Sequence, residues 1–319
     1  MTNTHALKYS DVCLVPNKCT VNSRQEVDTR VTLGTVSFKL PIVPSNMVCS
    51  IDEFTSNTLC TNGYFYVYHR FNDTLQFCRN KQKRGMFISI SVGVKDADRA
   101  LLVSLKSEGI TPNYVTIDIA HGHADSVARM IEFIKTMFPG TFVIAGNVAT
   151  PDGITFLEKA GADATKVGIG QGKACTTKLK TGFTVPMFTC VQECSIIAEK
   201  PIIADGGIEH NGDIAKALVA GATMVMAGGL FARLSDSPAY HRPDGSVDYF
   251  GSASAANKEK SGAPIKNIEG TIRHLHGYGL TYLEKMKEIQ EDLQSAVSYA
   301  GGNCLRDLMF TNWYTTNDN

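Results

Sequence analysis

Eight short segments of the chain are apolar almost without interruption and are bounded by Gly, Asn, Asp or Ser. They are 40–45 (LPIVPS), 64–69 (YFYVYH), 86–92 (MFISISV), 114–120 (YVTIDIA), 142–148 (FVIAGNV), 164–170 (ATKVGIG), 201–207 (PIIADGG) and 223–229 (TMVMAGG). A strand buried on one face alternates apolar and polar residues, whereas a parallel strand covered on both faces does not. Helical patterns lie between these runs. The stretch 124–137 (ADSVARMIEFIKTM) repeats apolar positions at helical spacing, and 153–160 and 213–220 are shorter versions, each followed by Gly-Ala. Strand then helix, repeated about eight times, predicts an α/β fold. Eight units fit a closed (β/α)8 TIM barrel better than its alternative, an open doubly wound sheet. One catalytic domain over 1–319 is expected.

The pattern changes after the eighth unit. Residues 246–254 (SVDYFGSAS) read as an added hairpin or loop. Residues 261–281 are polar and Gly-rich, carry Lys266, Glu269, Arg273, His274 and His276, and read as a mobile lid. The stretch 283–299 (LEKMKEIQEDLQSAVSY) is an amphipathic C-terminal helix with Gly301-Gly302 as its stop. The tail from Met309 is expected to be poorly ordered.

Composition narrows the function. The 319 residues are 43% apolar, enough for a large core, and carry 31 basic and 31 acidic side chains. That balance argues against general nucleic-acid or membrane-surface binding, which needs a basic excess. The nine cysteines are odd in number and include no CxxC pair, so a reducing cytoplasm is expected rather than a disulfide scaffold. The start MTNTHALKYSD has no signal-like apolar region, and no apolar run approaches the roughly 18 residues a spanning helix needs.

Candidate chemistry gathers where the predicted strands end: Ser45-Asn46, His69-Arg70, Asp118, His121, Asn147, Gly168 to Gly170, Asp205 to Gly207, and Gly228-Gly229. In a barrel that end is the active-site face. Turn formation explains the glycines but not three polar side chains, Asp118, Asn147 and Asp205, closing apolar strands in the same way. The richest stretch is 166–178 (KVGIGQGKACTTK). Its glycines permit positive φ, so inward amides suit an anion and inward carbonyls suit a monovalent cation. Cys175 on that loop suits a nucleophile, which must be accessible and give up its proton readily. ADGGI (204–208) and MAGGLF (226–231) follow strands seven and eight, where barrels often cradle phosphate, and Asp205 could accept from ribose hydroxyls. Cys190 and Cys194 lack partners at ligand spacing, so buried packing is the better reading. His121-Gly-His123 suits a cofactor contact or a cap better than a metal. No GxGxxG follows a first strand, so a Rossmann dinucleotide site is unsupported.

These residues resemble the IMP dehydrogenase/GMP reductase family from YSDVCLVP at Tyr9 to SYAGG at Ser298. KVGIGxGxxCTT, IDIAHGH, AGNVAT, PIIADGGI, GATMVMAGG, YFGSAS and NIEG occur in family order. Too few residues separate 86–92 from 114–120 to hold the dehydrogenases' regulatory insert. The lid has Arg273-His274 in place of their water-activating Arg-Tyr pair, and Glu269 in NIEG is similar to the reductases' catalytic glutamate. The resemblance therefore implies that Cys175 attacks the purine C2 of GMP, with Thr177 and Glu269 handling protons. NADPH would deliver hydride to a covalent thioimidate, giving IMP and ammonia.

It further implies Gly207, Gly228 and Gly229 at the phosphate and Asp205 at the ribose. Ser252, Ala253, Lys266 and Gly270 would lie near the base, with Lys266 standing where some relatives have Arg. Asp118, Asn147 and His121 would face the cofactor, and the Gly168, Gly170 and Cys175 carbonyls would hold potassium (K+). A cytoplasmic homotetramer is implied as well. An IMP dehydrogenase lacking its insert, oxidising IMP to XMP with NAD, is the nearest rival; a noncatalytic nucleotide-binding regulator is the other. The stretch 184–190 (TVPMFTC) departs from the Gly-rich, Trp-containing version of many relatives and is assigned nothing.

Overall fold

The computed structural model describes residues 5–260, 262 and 264–316. Seven of the eight apolar runs form one curled parallel sheet. Its order is Ile42–Pro44, Met224–Ala227, Ile202–Asp205, Ala164–Val167, Phe142–Val148, Tyr114–Asp118 and Ser89–Val92. The remaining run, 64–69, is not a full strand. Only Tyr68 joins the ladder: its N–H donates to Ser89 O at 3.0 Å, and Ser91 N–H donates to its carbonyl at 2.8 Å. The aromatic side chains there make packing contacts instead, Tyr68 stacking on Phe77 with centroids 3.7 Å apart.

Strand side chains alternate between two cores. Val143 and Ala145 face the helices outside the sheet, while Ile144 between them faces inward. The inner cluster joins Val43, Phe65, Val67, Tyr114, Ile144, Ala164, Ile203, Met224 and Met226, drawn from six strands of the sheet and from the run 64–69. The hairpin Val31–Leu33 with Val36–Phe38 supplies Val31, Leu33 and Phe38 to the same cluster and so plugs it from below. The outer cluster holds Val127, Ile131 and Ile134 of the helix Asp125–Met137 and Ile289, Leu293 and Val297 of Tyr282–Tyr299. Both helices obey the predicted spacing. The second opens on a capping box, with Thr281 N–H donating to Glu284 Oε2 at 2.8 Å. The shorter predicted helices appear as Pro151–Lys159 and Asn211–Val219.

Two segments hold strands that the sequence did not announce. The segment 261–281, read as a mobile lid, contains a strand: Ile272–His276 pairs antiparallel with Ser246–Phe250, from Ser246 opposite His276 to Phe250 opposite Ile272. Ser261 and Ala263 lie outside the described residues. The tail is also tied down, because Trp313–Thr315 pairs with Val12–Leu14 and Trp313 packs edge-on against Phe188. Residues 317–319 and 1–4 lie outside the described residues. Among the described residues no helix is long and apolar enough to cross a membrane.

Candidate active site

The strand Ala164–Val167 runs into the loop that carries Cys175, and two glycines make the turn possible. Gly168 has φ +136°, and a Cβ there would stand 2.2 Å from the Asp205 carbonyl oxygen. Gly170 has φ +77°, and a Cβ would meet Thr184 Oγ1 at 2.9 Å. Only glycine allows both the backbone conformation and the close approach. The loop then folds back, Cys175 N–H donating to Gly172 O at 2.9 Å. Cys175 is half-buried, and its sulfur lines the cleft as a free thiol.

Cys175, Thr177 and Glu269 form one hydrogen-bonded line. Cys175 Sγ donates to Thr177 Oγ1 at 3.1 Å, and Thr177 Oγ1 donates to Glu269 Oε2 at 2.7 Å. Glu269 comes from a segment 92 residues further along the chain. Backbone bonds hold that segment on the cysteine loop. Thr176 N–H donates to Glu269 O at 2.9 Å, Thr271 N–H to Ala174 O at 2.9 Å, and Glu269 N–H to Ala253 O at 3.1 Å. The part of the predicted lid that bears Glu269 is therefore docked. A thiol, a hydroxyl and a carboxylate in series can pass a proton without moving heavy atoms far.

The thiol opens into a cleft of about 420 Å³. Along its wall lies an ionic group made by three strand ends. Lys166 Nζ stands 2.6 Å from Asp118 Oδ1 and 2.6 Å from Asp205 Oδ2. Asn46 Nδ2 donates to Asp118 Oδ2 at 3.0 Å, and Asn147 Nδ2 donates to Asp205 Oδ2 at 2.9 Å. Burial by itself pushes the Asp118 carboxyl up; the Lys166 ammonium, with Arg70 and Asn46, reverses this and holds it below the usual carboxylate range. For Lys166, burial acts downward, yet the two carboxylates raise it above an ordinary lysine. Asn147 Oδ1 is buried without a hydrogen-bond partner, and Asp205 Oδ1 has none among the described residues. Both are unused acceptors on residues that line the cleft.

A smaller cavity adjoins it, lined by Gly172, Gly206, Gly207, Gly228, Gly229 and Arg233 among others. It is a cradle of bare backbone. A Cβ on Gly207, at φ +76°, would meet Met187 Cγ at 2.9 Å, and one on Gly228 would meet Tyr249 Oη at 2.4 Å. Exposed amides beside a cationic side chain suit a phosphate.

Most residues singled out from the sequence meet here. Cys175, Thr177, Glu269, Asp118, Asn147, Asp205, Gly168, Gly170, Ser252 and Ala253 line the cleft, and Gly207, Gly228 and Gly229 line the cradle. Gly270 bridges to Cys175. His121 and Lys266 are exposed and do not line the cleft; the Lys266 carbonyl instead accepts from Lys258 Nζ. The Gly168 carbonyl accepts from Asn147 Nδ2 at 2.7 Å, which occupies one of its two lone pairs. Cys190 and Cys194 are buried on the helix Met187–Ile197. Sequence reasoning passed over Lys166, although a lysine inside the apolar run ATKV was a usable signal, since lysine is rarely buried unpaired. It also passed over Lys95, Tyr249 and Asn257, which line the cleft from a helix cap, the added hairpin and the short helix Ala255–Lys260.

Comparison with known proteins finds matches over most of the chain. A profile of the IMP dehydrogenase / GMP reductase domain matches residues 6–312. A protein of Enterococcus faecalis named GMP reductase is 52% identical over 307 residues, covering 94% of this chain and 92% of its own. Its namesake from Ligilactobacillus salivarius is 51% identical over 301 residues, covering 92% and 91%. That of Bacillus subtilis is 50% identical over 304 residues, covering 93% and 92%. With a domain match this long and relatives this similar, the chain belongs to the IMP dehydrogenase/GMP reductase family.

Proposed function

We propose that this chain is an NADPH-dependent GMP reductase, converting GMP, NADPH and two protons to IMP, NADP+ and ammonium. The observation that carries the reading is the Cys175–Thr177–Glu269 line opening into the cleft. Relatives about half identical carry the same name. In the fold we take 64–69 as the eighth strand position of a closed (β/α)8 barrel, a single catalytic domain over 1–319. Only the helix Asp96–Ser107 and its connections occupy the place where a regulatory insert would stand.

GMP would lie with its phosphate in the Gly207, Gly228 and Gly229 cradle and its ribose on Asp205 Oδ1. Its base would rest against Ser252, Ala253 and Gly270. The Cys175 sulfur attacks the purine C2 and its proton passes through Thr177 to Glu269. The same line returns a proton to the departing amino group, so ammonia leaves and a thioimidate remains. Splitting displacement from reduction through a covalent adduct lowers each barrier. When bound, NADPH would supply the hydride to C2; the C2–S bond then breaks, which returns the Cys175 thiolate and frees IMP. Asp118 and the unpartnered Asn147 Oδ1 fit such a group, the second as acceptor for a carboxamide N–H. The Gly168, Gly170 and Cys175 carbonyls are the proposed potassium ligands, with one Gly168 lone pair left for a cation. We further propose a cytoplasmic homotetramer; exposed Phe54, Phe183 and Phe310 offer apolar surface for assembly.

Steady-state turnover tests the reading. Ammonia formed from GMP in step with NADPH consumption supports it. XMP formed from IMP with NAD, and no ammonia from GMP, would replace it with the dehydrogenase.

A further inference from the structure

Lys166 is 2% exposed, and the roles assigned above leave it without one. A cation so buried has to be paired, and its pairing here is unusual in joining the two halves of the cleft. Asp118 lies toward the dinucleotide half and Asp205 toward the nucleotide half. Both reach the same nitrogen at 2.6 Å. The fold makes room for this. Gly146 on the next strand passes so close that a Cβ would stand 2.6 Å from Lys166 Cβ and from its carbonyl oxygen. The remaining contacts are also taken: Asn46 holds Asp118 Oδ2, and Asn147 holds Asp205 Oδ2 beside the ammonium. What is left open is Asp205 Oδ1, together with the orphaned Asn147 Oδ1.

We propose that Lys166 is a positioning residue for both ligands: its ammonium holds Asp118 and Asp205 apart, aims them into the cleft and ties the substrate half to the cofactor half. The inference rests on the proposed division of the cleft, Asp205 for GMP and Asp118 for NADPH. Without the ammonium, two neighbouring carboxylates face each other in a poorly solvated wall. One then takes up a proton or swings away, and an acceptor aimed at a hydroxyl is lost. The damage reaches both ligands through the two carboxylates that Lys166 holds.

The experiment measures kcat and both KM values for Lys166→Met, Asp118→Asn, Asp205→Asn and the double variant Lys166→Met with Asp118→Asn. Lys166→Met is expected to raise the KM of GMP and of NADPH about tenfold or more each, with a smaller fall in kcat. The double variant leaves Asp205 with no anionic neighbour, so its KM for GMP returns to within about threefold of wild type while that for NADPH stays high. General loosening of the fold gives no such one-sided recovery. A Lys166→Met protein with either KM within about threefold of wild type overturns the proposal, as does a double variant whose GMP KM stays about tenfold raised. Should the single variant not fold, the double variant decides alone by the same criterion. Failure of the underlying reading looks different: Asp118→Asn then leaves the NADPH KM unchanged, or Asp205→Asn leaves the GMP KM unchanged.

Discussion

Replacing Glu269 with Gln removes the carboxylate at the end of the proton line and little else. The residue is anchored by its backbone, which donates to Ala253 O at 3.1 Å and accepts from Thr176 N–H at 2.9 Å. Neither bond involves the side chain, so the segment stays docked and the GMP site keeps its shape. Thr177 Oγ1, 2.7 Å from Glu269 Oε2 and 3.1 Å from Cys175 Sγ, then has no base to receive its proton. General acid–base catalysis contributes about 10²- to 10⁴-fold, or ~3–5 kcal/mol of barrier. Glu269→Gln is therefore expected to lower kcat by about 10²-fold or more with the KM for GMP changed less than about threefold. The assay is ammonia release from GMP alongside nicotinamide absorbance. Thr177→Val should match that loss and Thr177→Ser should largely escape it. Because the two residues act in series, the double variant should be about as slow as either single one. A Glu269→Gln enzyme retaining a third or more of wild-type kcat, or losses that multiply in the double variant, would refute the relay.

Three further outcomes follow from other parts of the molecule. Gly168→Ala places a methyl group 2.2 Å from the Asp205 carbonyl oxygen at φ +136°; kcat/KM should fall about 100-fold or more, read by the same assay. His69 is buried, which pushes its pKa from 6.5 down to about 4. The unfolded chain thus binds that proton first, so its contribution is intact above pH 6.5 and lost as pH falls towards 4; chemical denaturation should show His69→Gln flattening this slope. Lys81 is buried over the rings of Tyr66 and Phe77, its Nζ 4.3 Å and 5.2 Å from their centroids, and burial lowers its pKa from 10.5 to about 8. Below pH 8 the folded state carries that charge at a cost of about 3 kcal/mol, which vanishes as pH rises towards 10.5. Lys81→Met should raise the Tm at neutral pH, with the gain shrinking in alkali; an unchanged gain would contradict the shift.

Much of this molecule is legible in the sequence because parallel strands covered on both faces leave long apolar runs. Seven runs became strands where expected. The run 64–69 misleads because its aromatic residues are apolar for packing, and Tyr68 alone carries the ladder bonds. The strand Ile272–His276 could not be read locally. RHL has no run of apolar residues, and its partner Ser246–Phe250 lies far back in the chain. The same holds for Trp313–Thr315, whose partner is Val12–Leu14. In the site, Cys175 and the glycine cradles were legible because their residue types are restricted by chemistry or by φ. Long-range contacts were not: Glu269 reached Thr177 only through family likeness, and nothing local says that Lys166 spans Asp118 and Asp205. Lys266 and His121 show the opposite failure, since a polar residue near a motif need not face the cleft.

The central claim is that one sulfur, Cys175 Sγ, performs the chemistry on a bound purine. It is tested most directly by Cys175→Ala, with GMP affinity measured by calorimetry and ammonia release measured with NADPH present. Binding should persist within about threefold, since the proposed phosphate and ribose contacts lie elsewhere, while ammonia release should fall to background. Turnover that survives loss of the sulfur would contradict the account.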